Sequence, residues 1–443
     1  MSVNPLSVQE KINKLVSLYE KDLLKEALIE AKSLANQYPD VSVIYNIYGI
    51  INIALSDFDL SLDCFYKALK LKPDYVEAHY NLGISLAHLG RVEEAILSYT
   101  KAIELKPAYA EAHHNLGIAL DNLGQLEEAI FSYTKAIELR PDRPKLYDGL
   151  IRILSFYNPK KTNLNPCVIA NKELQTINYN YDFNKQISDE DVENFFQRCN
   201  NIIFENVDKL NVNETEIFRS NTIDLKCDRH FLVFNTFNVI PEYCFGCYKV
   251  QIGLRNVMEL FKLYFVFDKL NLKNNNPRKC MLEMRPEVAG AYKGYIYCFS
   301  LSEANQIQNQ LTTILNKKIN TNISIAVKRG CSEFGIAYPE YKKINQNDGQ
   351  LMKYNEKWRS KEKFIDDKLA KRNQSKQRVL RKNLPGATVS DILIMCNWLV
   401  YAKIIGDTSY KKIIKEIPIS PVIEKKLSNK LSKRKEDFSP APD

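Results

Sequence analysis

The sequence predicts a helical-repeat solenoid, then an α+β domain, then a basic helical C-terminal segment. Three observations carry this. Prolines recur at Pro39, Pro73, Pro107 and Pro141, each 34 residues from the last. From Tyr248 onward, short apolar runs and longer amphipathic stretches alternate as strand, helix, strand, strand, helix, strand. Charge is uneven: from Leu351 onward 22 Lys and Arg face 11 Asp and Glu, whereas the first 350 residues carry 40 against 42.

Composition narrows the class. A chain of 443 residues with 45% apolar residues is long enough for two or three cores. It has no apolar run of the roughly 18 residues that a membrane span needs, so no membrane is expected. The opening MSVNPLSVQEKINK lacks a basic stretch followed by an apolar one, so no signal peptide is expected and the location is read as cytoplasmic. Ten cysteines in that setting are expected as reduced thiols rather than a disulfide framework.

The repeat comes first. AHYNLGISLAHLGRVEEAILSYTKAIELKP and AHHNLGIALDNLGQLEEAIFSYTKAIELRP are near copies one period apart. Gly49, Gly83 and Gly117 supply small residues on the first helix of a pair, and Ala27, Ala95 and Ala129 do so on the second. Ala68, Ala102 and Ala136 fill a third small site. Helices that cross closely need such residues where their backbones approach. Each proline ends a second helix. In the first repeat, about 8–41, Leu15 replaces the glycine, and in the second Ser61 stands for alanine. Leu146, Leu150, Ile153, Leu154 and Tyr157 then form one helical face, expected to cap the stack.

This 34-residue pattern resembles the tetratricopeptide repeat (TPR), over 8–157 as four repeats plus a capping helix. The resemblance implies a groove that binds a polypeptide ligand. Asn81 and Asn115 hold one motif position in consecutive repeats, and the resemblance implies that they line that groove. The equivalent position one repeat earlier is Ile47, with Asn46 beside it.

Residues 158–187, rich in Asn, Lys and Pro, read as a linker. An α+β domain is expected over 188–345. It opens with a helix capped by Ser188, whose apolar residues Val192, Phe195, Phe196, Cys199, Ile203 and Leu210 keep helical spacing. HFLVFNTF reads as a strand. YKVQIGL, KCMLEMR, KGYIYCF and ISIAVKRG also read as strands, with helices at RNVMELFKLYFVFDKL and SLSEANQIQNQLTTILNKK. The order β-α-β-β-α-β is the split unit of ferredoxin-like folds. A basic helical segment over 351–420 and a disordered tail over 421–443 complete the expected layout.

Cys227, His230, Cys244 and Cys247 form a Cys-x-x-His and Cys-x-x-Cys pair of pairs. Four Cys and His at such spacing suit zinc, so a stabilising zinc is the cofactor expectation; buried core residues are the competing reading. Cys280, Cys298 and Cys331 are alternative ligands. For catalysis the residues offer little. Four of the five histidines, His79, His88, His113 and His114, lie in the repeats, and no phosphate loop or dinucleotide fingerprint is present. Glu283, Arg285 and Glu287 alternate along LEMRPE, and Cys331 follows Lys328 and Arg329, where a lowered-pKa thiol is one reading. Tyr295 and Tyr297 would share a strand face, as RNA stacking requires. WRSKEKFIDDKLAKRNQSKQRVLRK (358–382) carries ten basic residues against three acidic, and reads as a solvated helix or as a contact for an acidic partner or nucleic acid. The leading reading is a TPR adaptor protein. A transferase-type enzyme acting on a protein held by the repeats, and an RNA-binding adaptor, are the alternatives.

Overall fold

The computed structural model describes residues 7–160, 165–177, 184–207, 210, 212, 214–219, 225–285, 288–344, 351–372 and 386–415. They divide into two compact units, residues 1–150 and residues 151–371 with 380–443.

The first unit is built of consecutive helices: α1 (Val8–Glu20), α2 (Leu24–Gln37), α3 (Ser42–Ala54), α4 (Phe58–Leu71), α5 (Val76–His88), α6 (Val92–Leu105), α7 (Ala110–Asn122) and α8 (Leu126–Leu139). Each packs on the next, and α3, α5 and α7 also touch in succession. The predicted small residues explain the close crossings. A Cβ on Gly49, Gly83 or Gly117 would fall 2.5, 2.5 or 2.8 Å from the rings of Phe65, Tyr99 and Tyr133. Each ring thus lies where a side chain would otherwise stand. A second device repeats with the prolines: His79 and His113 bond the carbonyls of Pro73 and Pro107 at 2.9 and 3.0 Å. Past α8, a 3-10 turn (Pro144–Tyr147) leads into α9 (Asp148–Leu154). There Gly149 packs on the same Tyr133 ring as Gly117. Leu146, Leu150, Ile153 and Leu154 are buried, and Tyr157 is half-buried.

The second unit, which starts at Ile151, takes in the segment expected to be a linker. Residues 166–176 are α10 (Pro166–Thr176), capped by Asn165, whose Oδ1 accepts from Cys167 N at 2.9 Å. Cys167, Val168, Ala170 and Leu174 are fully buried, so this stretch is core. Its polar composition hid a short apolar stripe behind a good cap. Next come α11 (Asp189–Val207), β1 (Glu216–Arg219), α12 (Cys227–Phe237), α13 (Glu242–Gly246), β2 (Tyr248–Leu254), α14 (Val257–Lys269), β3 (Arg278–Leu282), β4 (Tyr292–Cys298), α15 (Leu301–Lys318), β5 (Ser324–Arg329), α16 (Pro339–Lys342), α17 (Arg359–Arg372) and α18 (Val389–Ile405).

The five strands form one antiparallel sheet in the order β1-β3-β4-β2-β5. Helices α14 and α15 pack against strands and each other. Gly294 on β4 leaves room for Leu263 of α14, where a Cβ would collide. The predicted alternation from 248 to 329 therefore matches elements β2 to β5 in order.

Two expectations change. HFLVFNTF is not a strand but most of α12. A short apolar run fits period 2 and period 3.6 alike. Here packing selects the helix: His230 and Val233 are buried one turn apart, and Phe231 and Phe234 both meet the Phe334 ring. Lys226 and Asn238, in left-handed conformations, bound it at either end. Within 351–420, the basic stretch 358–382 reads as a solvated helix but is docked through α17 where it is described, whereas 389–414 is apolar enough to read as a buried helix pair about Gly406, and its first helix is buried. Helix α18 is core: Trp398 stacks edge-on against Phe261 at 5.6 Å, and Ile392, Met395 and Tyr401 are fully buried. Gly406 ends α18 at φ +86°, a conformation glycine adopts without penalty. The stretch 421–443 lies outside the described residues.

Candidate functional site

In the repeats, the two singled-out asparagines lie on a polar line along the first helices. Asn81 Nδ2 donates to Asn46 Oδ1 at 3.1 Å, bridging α5 to α3. Asn115 Nδ2 donates to the Tyr80 hydroxyl at 3.1 Å, bridging α7 to α5. Asn46 and Asn81 are buried, and Asn115 is half-buried. Asn46, set one residue off the motif register, is thus the partner that extends the line into the second repeat. Burial pushes the Tyr80 hydroxyl above its ordinary pKa, so it stays a neutral donor at any physiological pH. Farther along the unit, Lys32, Lys67, Tyr45, Tyr48 and Asp63 line a cleft of about 240 Å3, with Lys67 over the Tyr45 ring at 4.5 Å.

The sequence-predicted ligands of the second unit lie on three segments. Cys227 opens α12, and His230 follows one turn later. Cys244 lies on α13, and Cys247 leads into β2. Cys331 arrives from the end of β5. Cys247 packs against Gly330, and the charge on Cys227 acts on it. The hydrogen bond to Cys331, then burial, push the Cys227 thiol up; His230 offsets part of this. For Cys331 the bond with Cys227 lowers the pKa, but the bond to Cys244 and burial outweigh it. The lowered-pKa reading of Cys331 is therefore corrected: the cations beside it in sequence do not face it closely enough to offset its burial. His230 is buried and stacks on Tyr243 at 5.1 Å. Cys280 and Cys298 are buried; the Cys298 thiol reaches the Ile296 carbonyl at 3.8 Å and pairs by register with Tyr248, next to Cys247. Among the described residues, no group of three or more His, Cys, Asp or Glu side chains could hold a metal ion.

The sheet face opposite α14 carries Lys279 of β3, Tyr295 and Tyr297 of β4 and Lys249 of β2, adjacent by register. Lys249 lies over the Tyr295 ring at 5.0 Å, and burial pulls its ammonium below the ordinary value, against the pull of Glu333 and Cys331. Tyr295 is buried and Tyr297 half-buried, so neither is the exposed stacking platform that the RNA reading required. Glu283, 1% exposed, accepts two bonds of 2.8 Å from Arg285, which also reaches Glu333 at 3.4 Å. Glu287 lies outside the described residues.

The basic helix α17 is docked rather than free. Ile365 is fully buried against Val233 and Val239. Arg229 of α12 pairs with Glu362 at 2.8 Å and Asp366 at 2.6 Å. Glu362 Oε1 also accepts from Glu242 N and the Tyr354 hydroxyl, at 2.9 and 2.8 Å. The sparse acidic residues of α17, not its lysines, hold it in place. Residues 373–382 of the basic stretch lie outside the described residues. Among the described residues no helix is long and apolar enough to cross a membrane.

The helix pairs and the 34-residue glycine-to-ring crossings define a tetratricopeptide array. A family profile described as TPR repeat matches residues 51–90 and 85–124, and one described as tetratricopeptide repeat matches 110–143. The N-terminal region is thus TPR, a class that binds polypeptides. Among particular proteins, this chain is similar to the peroxisomal targeting signal receptors of three yeasts. With that of Debaryomyces hansenii it is 44% identical over 62 residues, 14% of this chain and 10% of that protein. With that of Eremothecium gossypii it is 39% identical over 77 residues, 17% of this chain and 13% of that protein. The chain thus spans about a tenth of the length of these relatives. Among solved structures, MamA 41-end from Desulfovibrio magneticus RS-1 is 27% identical, with a TM-score of 0.31, covering 33% of this chain and 82% of that one. YrrB, titled a TPR protein with an unusual peptide-binding site, is 23% identical with a TM-score of 0.30, covering 32% of this chain and 73% of that one.

Proposed function

We propose that this protein is an adaptor that captures an extended polypeptide along the α3–α5–α7 face of its repeats. The observation that carries the reading is the asparagine line. Asn46, Asn81 and Asn115 stand on successive first helices, tied across them by the Asn81–Asn46 and Asn115–Tyr80 bonds. Each carboxamide offers two donors and an acceptor; Asn81 and Asn115 each give one donor to these bonds, and Asn46 accepts through its oxygen. The bonds fix the side-chain rotamers, so remaining donors and acceptors are pre-aimed at a peptide backbone and little entropy is lost on binding.

We read the second unit as a ferredoxin-like module with an added edge strand. Support comes from the order β3-β4-β2-β5, all antiparallel, with α14 and α15 as crossovers. This fold hosts many activities and supplies none by itself. It is the module through which the adaptor would recruit its second partner.

The test begins with a peptide selected from a random display library against the full chain. Binding of that peptide is then compared for wild type and the Asn81→Ala/Asn115→Ala protein. The expected result is at least a tenfold weaker Kd with unchanged far-UV circular dichroism. Equal affinity in the double variant would remove the groove assignment.

A further inference from the structure

We propose that β5 is a docking edge for a second copy of this chain, which pairs through its own β5, antiparallel, about a two-fold axis at Ala326. The sheets of the two copies then run on as one. The proposal uses neither the repeats nor their groove, so it is independent of peptide capture.

The backbone of β5 is open on one side. It is the last strand of the sheet and pairs only with β2. Hydrogen bonds of an antiparallel pair alternate along the strand. Gly330 N donates to the Cys247 carbonyl at 3.0 Å, one step past the pair Tyr248 and Arg329. By alternation Lys328, Ala326 and Ser324 also turn their backbone groups toward β2, and Ile325 and Val327 turn theirs outward. Gln308 of α15 marks that direction: its Nε2 donates to the Ile325 carbonyl at 3.0 Å. That bond uses one lone pair of one carbonyl. Among the described residues no strand lies beyond β5 to take the rest. Edge strands are ordinarily protected by proline, shortness, a bulge or charge. β5 has six residues, no proline and one exposed charge, Lys328. Arg329 is 2% exposed and bonded to the Phe245 and Tyr341 carbonyls.

The register centred on Ala326 is self-complementary. Ile325 stands opposite the partner's Val327, and Val327 opposite the partner's Ile325, each pair exchanging both of its hydrogen bonds. In register these two residues continue the row of Ile252 and Val250, which are fully buried, yet at the edge they are only half-buried. Cross-strand pairing of β-branched side chains would complete their burial. Ala326 meets the partner's Ala326 in the closer, non-hydrogen-bonded kind of pair, where small side chains fit. Lys328 falls opposite the partner's Ser324, so no like charges face one another.

Helix α15 supports the same occupant. Gln308 sets one face of α15 beside the open edge, and Asn305 and Thr312, on that face, are exposed. No charged residue lies between Glu303 and Lys317, although 26% of the chain is charged. Depletion of charge marks the core of an interface rather than a solvated helix. Two such faces meeting across the axis have no repulsion to overcome, and their amides can bond one another. A foreign extended peptide is the other occupant that a sheet edge takes. It would use the outward backbone groups, but it gives no reason for the match of Ile325 with Val327 about Ala326.

The test uses the full chain. Sedimentation velocity over a dilution series should show a particle of twice the chain mass. Val327→Pro removes an outward N–H that the chain's own sheet does not use, so it should give a monomer with unchanged far-UV circular dichroism. Engineered thiols under mild oxidation read the register. Ala326→Cys should cross-link to itself, since a non-hydrogen-bonded pair holds its Cα atoms about 4.5 Å apart, within disulfide reach. Ser324→Cys mixed with Lys328→Cys should cross-link, while neither does so alone. Mass spectrometry of the linked peptides separates these bonds from any made by the ten native cysteines. The cross-links do not depend on Val327→Pro, so a misfolded proline variant leaves the test intact. A wild type that is monomeric at every concentration overturns the proposal. A dimer that persists in folded Val327→Pro and does not cross-link at 326 puts the interface elsewhere and overturns it too. A monomer that binds a display-selected peptide, and loses it with Val327→Pro, gives the edge to a foreign strand instead.

Discussion

Gly330 lies directly against Cys247: its amide donates to the Cys247 carbonyl at 3.0 Å, and a Cβ at 330 would stand 3.2 Å from Cys247 Cβ and inside contact with its sulfur. This contact joins the end of β5 to the start of β2. Gly330→Ala should therefore destabilise the second unit by about 1–3 kcal/mol, the usual range for overpacking. Gly246→Ala is the control, since a Cβ there would meet only Phe299 O at 3.6 Å, an ordinary contact. Urea unfolding followed by tryptophan fluorescence reads the difference. Both tryptophans, Trp358 and Trp398, lie in that unit. Equal midpoints for the two variants would refute the crowding argument.

In the repeats, Gly83→Ala tests the glycine-to-ring crossing. In an open helix this change gains about 1 kcal/mol from helix propensity. Here the new Cβ would stand 2.5 Å from the Tyr99 ring. Overlap should outweigh propensity, and the net effect should be a loss of stability. The Gly83→Ala/Tyr99→Leu protein should recover part of it. Far-UV circular dichroism follows the helical repeats, and a stabilised single variant would show that the helices have room to part.

Arg219 tests the core that β1 shares with α14 and α18. Its guanidinium lies over the Tyr264 ring at 4.4 Å, 3.3 Å from Asp391 and 3.7 Å from Asp268, and donates to the Gly386 carbonyl at 3.1 Å. All three charged side chains are 10% exposed or less. Arg219→Met would remove the 3.3 Å cation partner of the buried Asp391 and leave Asp268 with Lys269 at 4.0 Å; breaking a buried pair typically costs about 3–5 kcal/mol. The fluorescence midpoint should fall accordingly. A shift below about 1 kcal/mol would mean that the carboxylates find water or a proton cheaply.

The α12–α17 clasp should make stability acid-sensitive. The hydrogen bonds from Arg229 hold the Asp366 carboxyl below its ordinary range. A depressed folded-state pKa contributes stability that is complete above about pH 4 and is lost as pH falls through the folded value. Wild type should therefore lose more stability than Arg229→Met on going from pH 5 to pH 2.5. Asp366 is half exposed, so the difference should be small and should shrink further in 1 M salt. Parallel pH profiles for the two proteins would show that the clasp contributes nothing.

How much was legible depended on how far apart in sequence the decisive contacts lie. The repeats were readable because each crossing joins residues 16 apart, such as Gly83 and Tyr99, and recurs every 34 residues. The elements from Tyr248 to Arg329 were readable because each carries its own period and caps. Ser300 Oγ accepts from Glu303 N at 3.1 Å, at the start predicted for α15. By contrast HFLVFNTF fits two periods equally, and only Val233 meeting Ile365 and Phe231 meeting Phe334 made it a helix. Polar composition hid α10, whereas the apolar run of α18 reads as a buried helix with Gly406 at its end.

The sequence by itself determined the repeat array, the asparagine positions and the Cys-x-x-His and Cys-x-x-Cys pairs, because these rest on local spacing that the chain repeats or caps. The tertiary structure decided that Asn46 completes the asparagine line, that the acidic face of α17 docks on α12, and that Gly330 packs against Cys247. Those contacts join residues far apart along the chain, and sequence spacing carries no record of a proximity that only sheet order and helix packing create.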